Sequence, residues 1–347
     1  MFILKGRKVS KHIILSGASG FVGHHLLEHI LNNTDWTVST IDRLGDTTNK
    51  GFDRLREIGA FNNPRVNTLT YDLVNPIGAG LKKELGNPDY ILHVAASSHV
   101  DNSIVKPVEF FKNNTESTLT MLEYARGVKG LKKFLYFSTD EVYGTAITGV
   151  NHKEGARFNP GNPYSASKAA SECLCYAYSN TYRLPIVITN SMNIIGERQH
   201  PEKFVPLVIN SIRNGSLVKI HADSTKQHPG TRFYIHARNV ADGILYVLNE
   251  TNETLDNIDA SLGKFNIVGE VELDNLELAQ KIHKNVNGNK LLYQLVDFHS
   301  TRPGHDLRYA LDGTKMNDLG WKPPVDFDDS LEKTVKWTLD NKRWLEW

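Results

Sequence analysis

The chain has 347 residues, 40% hydrophobic and 23% charged, enough apolar material for one large domain or a large domain carrying a smaller lobe. Its 40 Lys and Arg are offset by 39 Asp and Glu, which excludes a global field drawing it onto nucleic acid or an anionic membrane; any bound anion must be held locally. Cys173 and Cys175 sit too close for a relaxed disulfide and lack a second pair for zinc, no apolar run spans a membrane, and Met1 to Leu4 is too short for a signal-peptide core, so a reducing, cytoplasmic setting is expected.

Up to about residue 190, short β-branched runs alternate with segments of helical period, which predicts an α/β fold with a doubly wound parallel (Rossmann) sheet. Strands are expected at His12 to Ser16, Thr37 to Asp42, Val66 to Tyr71, Tyr90 to Val94, Lys133 to Ser138 and Pro185 to Asn190. Pro107 suits a first helical turn, and Val108, Phe111, Thr115, Leu119 and Leu122 recur at threes and fours, which predicts a helix burying one long stripe. Residues 1–190 therefore read as a dinucleotide-binding domain. Residues 191–347, with their Gly-, Pro- and His-bearing stretches, read mainly as a smaller α/β lobe for substrate, some of whose segments return to the first domain. The last segment, Asp329 to Trp347, is amphipathic through Leu331, Val335, Leu339 and Trp344 and should pack on the body.

Gly17-Ala-Ser19-Gly20-Phe21-Val22-Gly23 follows the first strand and opens a helical pattern, the context in which a glycine fingerprint is credible. Glycine serves where the backbone turns tightly, approaches a pyrophosphate, or lets helix meet strand, and the helix N-terminus offers amide donors to phosphates. Asp42 ends the second strand, where a carboxylate accepts from ribose hydroxyls and repels a 2′-phosphate, so NAD is favoured over NADP; Arg43 beside it pulls the other way. Asp72, ending the third strand, is placed either to reach the adenine or to serve as an ordinary turn residue.

Tyr164 and Lys168 form YxxxK after Asn162-Pro163, one turn apart on one helix face, where the lysine's charge, added to that of a nicotinamide ring, would favour tyrosinate as a base for a sugar hydroxyl. The fifth strand runs into Ser138-Thr139-Asp140-Glu141, which places a hydroxyl and two adjacent carboxylates at the ligand-binding edge of the sheet. Two neighbouring carboxylates with separated pKa values suit a reaction that must both remove and donate a proton. His25 and His29 stand one turn apart around Glu28 without a third ligand, so no metal is expected, and Cys173-Leu-Cys175 reads as core or interface.

These motifs, with Ala95-Ala96-Ser97-Ser98-His99-Val100-Asp101, the Asn114 helix, His200 to Lys203 and Arg302-Pro-Gly-His305-Asp-Leu-Arg308, resemble the nucleotide-sugar 4,6-dehydratases of the extended short-chain dehydrogenase/reductase family, the dTDP-glucose 4,6-dehydratases above all. The resemblance covers nearly the whole chain, and its specific part is the Thr-Asp-Glu triplet. It implies bound NAD, a nucleotide-diphosphate sugar substrate (dTDP-glucose or UDP-glucose) and a homodimer built from the helices at Pro107 and Tyr164. Thr139 would then bond the C4 hydroxyl, Asp140 would act as acid and Glu141 as base, and Tyr164 with Lys168 would form the oxidation pair. Oxidation at C4, loss of water across C5 and C6, and reduction at C6 would give a 4-keto-6-deoxy sugar. Ser98, His99, Asn193, Lys203, Arg232, Arg302 and His305 match substrate-binding positions, arginine being suited to bidentate phosphate recognition. The chain departs from the pattern at Ser97, where a Glu is usual, at Ile194-Ile195-Gly196-Glu197 after Asn193, and at Phe233-Tyr234 after Arg232, which leaves base and hexose open. A sugar 4-epimerase, a decarboxylase and an NAD-binding sensor without chemistry are the competing readings.

Overall fold

Along the first strand, alternate residues are apolar in both directions, so both faces must be covered. In the computed structural model, which describes residues 10–43, 50–256, 258–286, 288–297 and 307–346, strand β1 (His12–Ser16) sends Ile13 and Leu15 into one buried core and Ile14 into another. With β2 (Thr37–Asp42), β3 (Val66–Thr70), β4 (Tyr90–His93), β5 (Lys133–Thr139), β6 (Ile186–Ser191) and β10 (Lys264–Ile267) it forms a seven-stranded sheet in the order β10-β6-β5-β4-β1-β2-β3. Every neighbouring pair is parallel. The six strands expected from the sequence are present with ends shifted by at most one residue.

Helix α1 (Phe21–Asn33) covers one face together with α8 (Ala237–Glu250), through Leu26, Leu27 and Ile30 against Val240, Ile244 and Leu248. Between them in sequence lie α2 (Gly51–Glu57), α3 (Ala79–Leu85), α4 (Val100–Val105), α5 (Pro107–Arg126), α6 (Pro163–Tyr182) and α7 (Phe204–Asn214). The opposite face is covered chiefly by α5 and α6, through Met121, Leu122, Cys175 and Tyr178. The α5 stripe departs from expectation. Val108, Phe111 and Leu119 are 78%, 47% and 39% exposed, and the buried face is instead Phe110, Asn114, Ser117, Thr118, Met121 and Leu122. Small and hydrogen-bonding residues let α5 and α6 approach closely, with Asn114 Nδ2 donating to Ser167 Oγ at 2.9 Å. Polar burial there is satisfied rather than avoided.

Beyond β6, a separate core gathers α7, β8 (Leu217–Ala222), β9 (Thr231–His236), α9 (Asn275–Val286) and α11 (Phe327–Asp340), with α10 (Thr314–Asp318) preceding the last of these. β9 pairs with β7 (Ile194–Ile195), β11 (Val271–Asp274) and β13 (Arg308–Tyr309), and β8 pairs with β12 (Leu292–Asp297). Leu331, Val335 and Trp344 are buried, so the C-terminal segment packs on the body as expected. β10 belongs to the main sheet and α8 packs on its face, although both lie beyond residue 190.

Candidate active site

The order of the main sheet reverses direction around β1 and β4, and open α/β sheets bind ligands in the crevice at that point. Gly17 leaves β1 with φ of +75°, and a Cβ there would lie 2.6 Å from Ala95 N. A Cβ on Gly23 would lie 2.0 Å from Gly17 O, so the helix can close on the turn only without a side chain. Gly20 caps α1, whose first turn has no side-chain cap and no acidic residue, leaving its amides and dipole for an anion.

Asp42, at the end of β2, accepts from Ser19 N at 3.1 Å, while the Ser19 hydroxyl is buried with no hydrogen-bond partner among the described residues. Arg43, beside Asp42, has its Nη1 3.8 Å from Asp72 Oδ2. Asp72 also accepts from Val74 N at 3.2 Å, a turn role, while lining the same cavity. Asp42, Arg43, Asp72 and the glycines wall a cavity of about 540 Å³ that extends to Tyr164 and Lys168; its wall also includes Ser98, His99 and Lys203, whereas Ser19, fully buried behind the turn, is not on it. His99 Nε2 lies 3.2 Å from Glu202 Oε2, linking the start of α4 to the segment before α7.

The sequence reading missed Arg54, which also lines the cavity and is 4% exposed. It donates to Ser19 O at 3.3 Å and to Arg198 O at 3.0 and 3.1 Å, and its guanidinium stands 5.5 Å from the Trp344 ring centre. Burial, with Arg198 adding to it, lowers its pKa to about 10. Nothing local in Asp53-Arg54-Leu55 marks one arginine as buried, since its partners come from three distant segments.

Asn162 starts α6 with a reciprocal cap: its Oδ1 accepts from Ser165 N at 2.9 Å and its N donates to Ser165 Oγ at 3.1 Å. The same side chain donates from Nδ2 to Glu141 Oε2 at 3.0 Å, so the helix start also orients a candidate base. Tyr164 and Lys168 are both buried on one face of α6. The Lys168 ammonium donates to Phe137 O at 2.6 Å and lies 4.2 Å from the Tyr136 ring centre. Burial lowers its pKa to about 7 against the opposing charge of Glu172. Burial also raises the Tyr164 hydroxyl well above its ordinary range, Glu141 adding to this and a Thr139 hydrogen bond opposing it. The lysine's charge is one of the two that tyrosinate is expected to need, the other being that of the nicotinamide ring.

β5 ends at Thr139, whose hydroxyl donates to Asp140 Oδ1 at 3.0 Å. Asp140 is 4% exposed, and its Oδ2 is buried without a hydrogen-bond partner among the described residues. Burial, with Glu141 alongside, pushes its pKa up to about 7. The two neighbouring carboxyls thus have distinct surroundings, one sealed and one held by Asn162.

Thr139, Asp140 and Glu141 follow Phe137 and Ser138 of the cavity wall but are not themselves on it, and several of the remaining candidates also lie off it. Arg232 is buried, donates to Thr231 O and Leu307 O at 2.6 Å each, and stands over the Tyr309 ring; its charge reaches Asp140, but it is not on the cavity wall. Asn193 accepts through its backbone from Ile235 N at 3.3 Å and is likewise off that wall. Arg302 and His305 lie outside the described residues. His25 and His29 turn to separate partners, Glu197 O at 3.0 Å and Asp242 at 3.5 Å.

This geometry has close counterparts. The GDP-mannose 4,6 dehydratase family model matches residues 14–334. The dTDP-glucose 4,6-dehydratase of Haemophilus influenzae is 35% identical over 95% of this chain and 98% of its own. DesIV, a dTDP-glucose 4,6-dehydratase from Streptomyces venezuelae solved with NAD and TYD bound, superposes with a TM-score of 0.82 at 32% identity, covering 96% of this chain and 99% of that one. The UDP-glucuronic acid 4-epimerase of Bacillus cereus has the same TM-score at 24% identity over 95% of this chain and 99% of its own, which is a likeness of fold. With so long a match to the family model and full-length relatives at this identity, the chain belongs to the GDP-mannose 4,6 dehydratase family.

Proposed function

We propose that the protein is an NAD-dependent nucleotide-sugar 4,6-dehydratase that converts an NDP-hexose, dTDP-glucose in the first instance, to the NDP-4-keto-6-deoxyhexose. The observation that carries this reading is Asp140: a sealed carboxyl beside Glu141, with its pKa up at about 7 and a buried oxygen that has no described partner. A 4-epimerase has no use for such an acid. The relatives named above support dTDP as the nucleotide, since full-length dTDP-glucose dehydratases match at this identity.

The residues of the crevice fit NAD. The uncapped start of α1 suits the pyrophosphate, and Asp42 suits the ribose hydroxyls and repels a 2′-phosphate. Gly17, Gly20, Phe21, Val22, Gly23 and Asp72 line its place, with Tyr164 and Lys168 at the reacting end. When bound, NAD supplies an acceptor for the C4 hydride and its return at C6, and its positive ring favours the tyrosinate that the buried site otherwise resists.

Tyr164 removes the C4 hydroxyl proton, with Thr139 holding that oxygen. The resulting ketone acidifies C5. Glu141 takes the C5 proton as Asp140 gives its own to the C6 hydroxyl, so water leaves rather than hydroxide. Lys203, Asn193, Arg232, Ser98 and His99 are assigned to the nucleotide sugar, as are Arg302 and His305. The exposed α5 stripe of Val108, Phe111 and Leu119, with Tyr182 of α6 43% exposed, supports a homodimer built on these two helices. Among the described residues no helix is long and apolar enough to cross a membrane. With two free cysteines on one helix, we place the protein in the reducing cytoplasm.

Incubation with dTDP-glucose in deuterated water tests the assignment. The expected product has lost water and carries deuterium at C5, and Glu141→Gln abolishes both. Turnover without exchange, or an active Glu141→Gln enzyme making the C4 epimer, would overturn it.

A further inference from the structure

Tyr164 and Lys168 continue along α6 to a third residue one turn on, Glu172, which is fully buried. Its Oε2 accepts from Lys264 Nζ at 2.5 Å, and the two side chains are 0% and 1% exposed. Its Oε1 accepts from Ser138 Oγ at 2.5 Å and from Asn190 Nδ2 at 2.9 Å. Asn190 Nδ2 also donates to Thr139 O at 2.9 Å, and Lys168 donates to Phe137 O. Three consecutive residues at the end of β5 are therefore gripped in turn: Phe137 by Lys168, Ser138 by Glu172, and Thr139 by Asn190, which Glu172 also holds. Asp140 follows immediately.

A buried ion pair is weak evidence for stability, because desolvation offsets the attraction and an apolar pair of similar volume often serves as well. The pair here asks for another reason. Lys264 comes from β10, at the far end of the sheet order from β3, and its ammonium also lies 4.7 Å from the Tyr143 ring centre and 4.9 Å from that of Phe158. It answers a carboxylate whose other oxygen is committed to the end of β5.

We propose that Glu172 is a positioning residue: it locks the Ser138–Thr139 strand end against α6, so that Asp140 and Glu141 meet the sugar held at Tyr164, and Lys264 exists to let that carboxylate stay buried. The inference rests on the dehydratase reading. It assigns Glu172 no contact with substrate or cofactor.

The test compares two paired replacements in the full-length protein. Glu172→Leu with Lys264→Met removes both charges and the grip, whereas Glu172→Gln with Lys264→Met removes both charges but keeps an acceptor for Ser138 and Asn190. The first should stay folded and keep its KM and NAD content, yet lose kcat between about ten- and a hundredfold, because small displacements of catalytic groups are that expensive. The second should recover most of that loss. Ser138→Ala, which leaves the ion pair intact, should lower kcat in the same direction and keeps the inference falsifiable if the apolar pair fails to fold. Equal kcat in the leucine pair and wild type, equal loss in both pairs, or an unaffected Ser138→Ala would overturn it. Failure of the wild-type protein to form the 4-keto-6-deoxy product would instead sink the dehydratase reading, and this inference with it.

Discussion

Asp140→Asn separates what the buried carboxyl costs the fold from what it does in the reaction. Burial, with Glu141 beside it, raises the Asp140 pKa from 3.8 to about 7. The unfolded chain loses this proton at the lower value and the folded chain at the higher. Between the two the native state alone holds the proton, so stability falls as pH rises and levels off above the folded value. At about 1.4 kcal/mol per pKa unit, the carboxyl lowers stability by roughly 4 kcal/mol at about pH 8 and by roughly 2 kcal/mol at about pH 5, relative to strong acid. Asparagine does not titrate. The stability of Asp140→Asn relative to wild type should therefore improve by about 2 to 3 kcal/mol between those pH values. Urea unfolding at both pH values, with the same cofactor loading, reads the difference. Any fixed cost of the amide cancels in this comparison. Product formation should meanwhile fall by about 10² to 10⁴, the usual worth of a positioned acid. A relative stability that does not change with pH would refute the sealed-acid argument, whatever happens to activity.

Three further outcomes are expected. Tyr164→Phe should lower kcat by about 10² to 10⁴ while retaining bound NAD, measured on the denatured protein by chromatography. Phe111→Glu places a charge in the exposed α5 stripe; if the proposed homodimer forms there, sedimentation should find the wild-type protein dimeric and the variant monomeric, since an unpaired charge is not tolerated in an apolar interface. Trp344→Ala removes a ring that is 2% exposed, donates to Glu57 Oε1 at 3.2 Å and underlies Arg54. Urea unfolding should register a loss of about 3 to 5 kcal/mol; a loss typical of surface positions would contradict the packing of that terminal turn.

The main sheet was readable because its central strands are buried on both faces and hence carry near-continuous β-branched, aromatic or leucine runs, as in Ile186–Ser191 and Lys133–Thr139. The turn at Gly17 and the Tyr164 helix were readable because each carries its own punctuation, glycine in one and Asn162-Pro163 in the other. The orientation of α5 was not. Its buried face contains Asn114, Ser117 and Thr118, whose burial depends on partners such as Ser167 that hydrophobic spacing does not register. The same limit hid Arg54, Glu172 and Lys264. Each is an ordinary charged residue locally, and its meaning comes from contacts tens of positions or more away, such as Lys264 with Glu172. The sequence suggested that some segments beyond residue 190 return to the first domain but could not name β10 as one, because a four-residue strand, Lys264–Ile267, gives too short a pattern to say which sheet it joins.

That late strand bears on how the molecule is made. β6 is buried along its whole length and is flanked on one side by β5 and on the other by β10. On the ribosome, roughly seventy-five residues separate the completion of β6 from that of β10, so at bacterial to eukaryotic elongation rates the nascent sheet waits about 4 to 15 s with an apolar, unpaired margin. During that interval Glu172 has no Lys264 to answer it. Nascent-chain arrest at a point where Ile186–Ser191 has cleared the ribosomal exit tunnel but Lys264–Ile267 has not should therefore yield a species that recruits chaperones or self-associates through Ile186–Ser191, and emergence of Lys264–Ile267 should end that vulnerability.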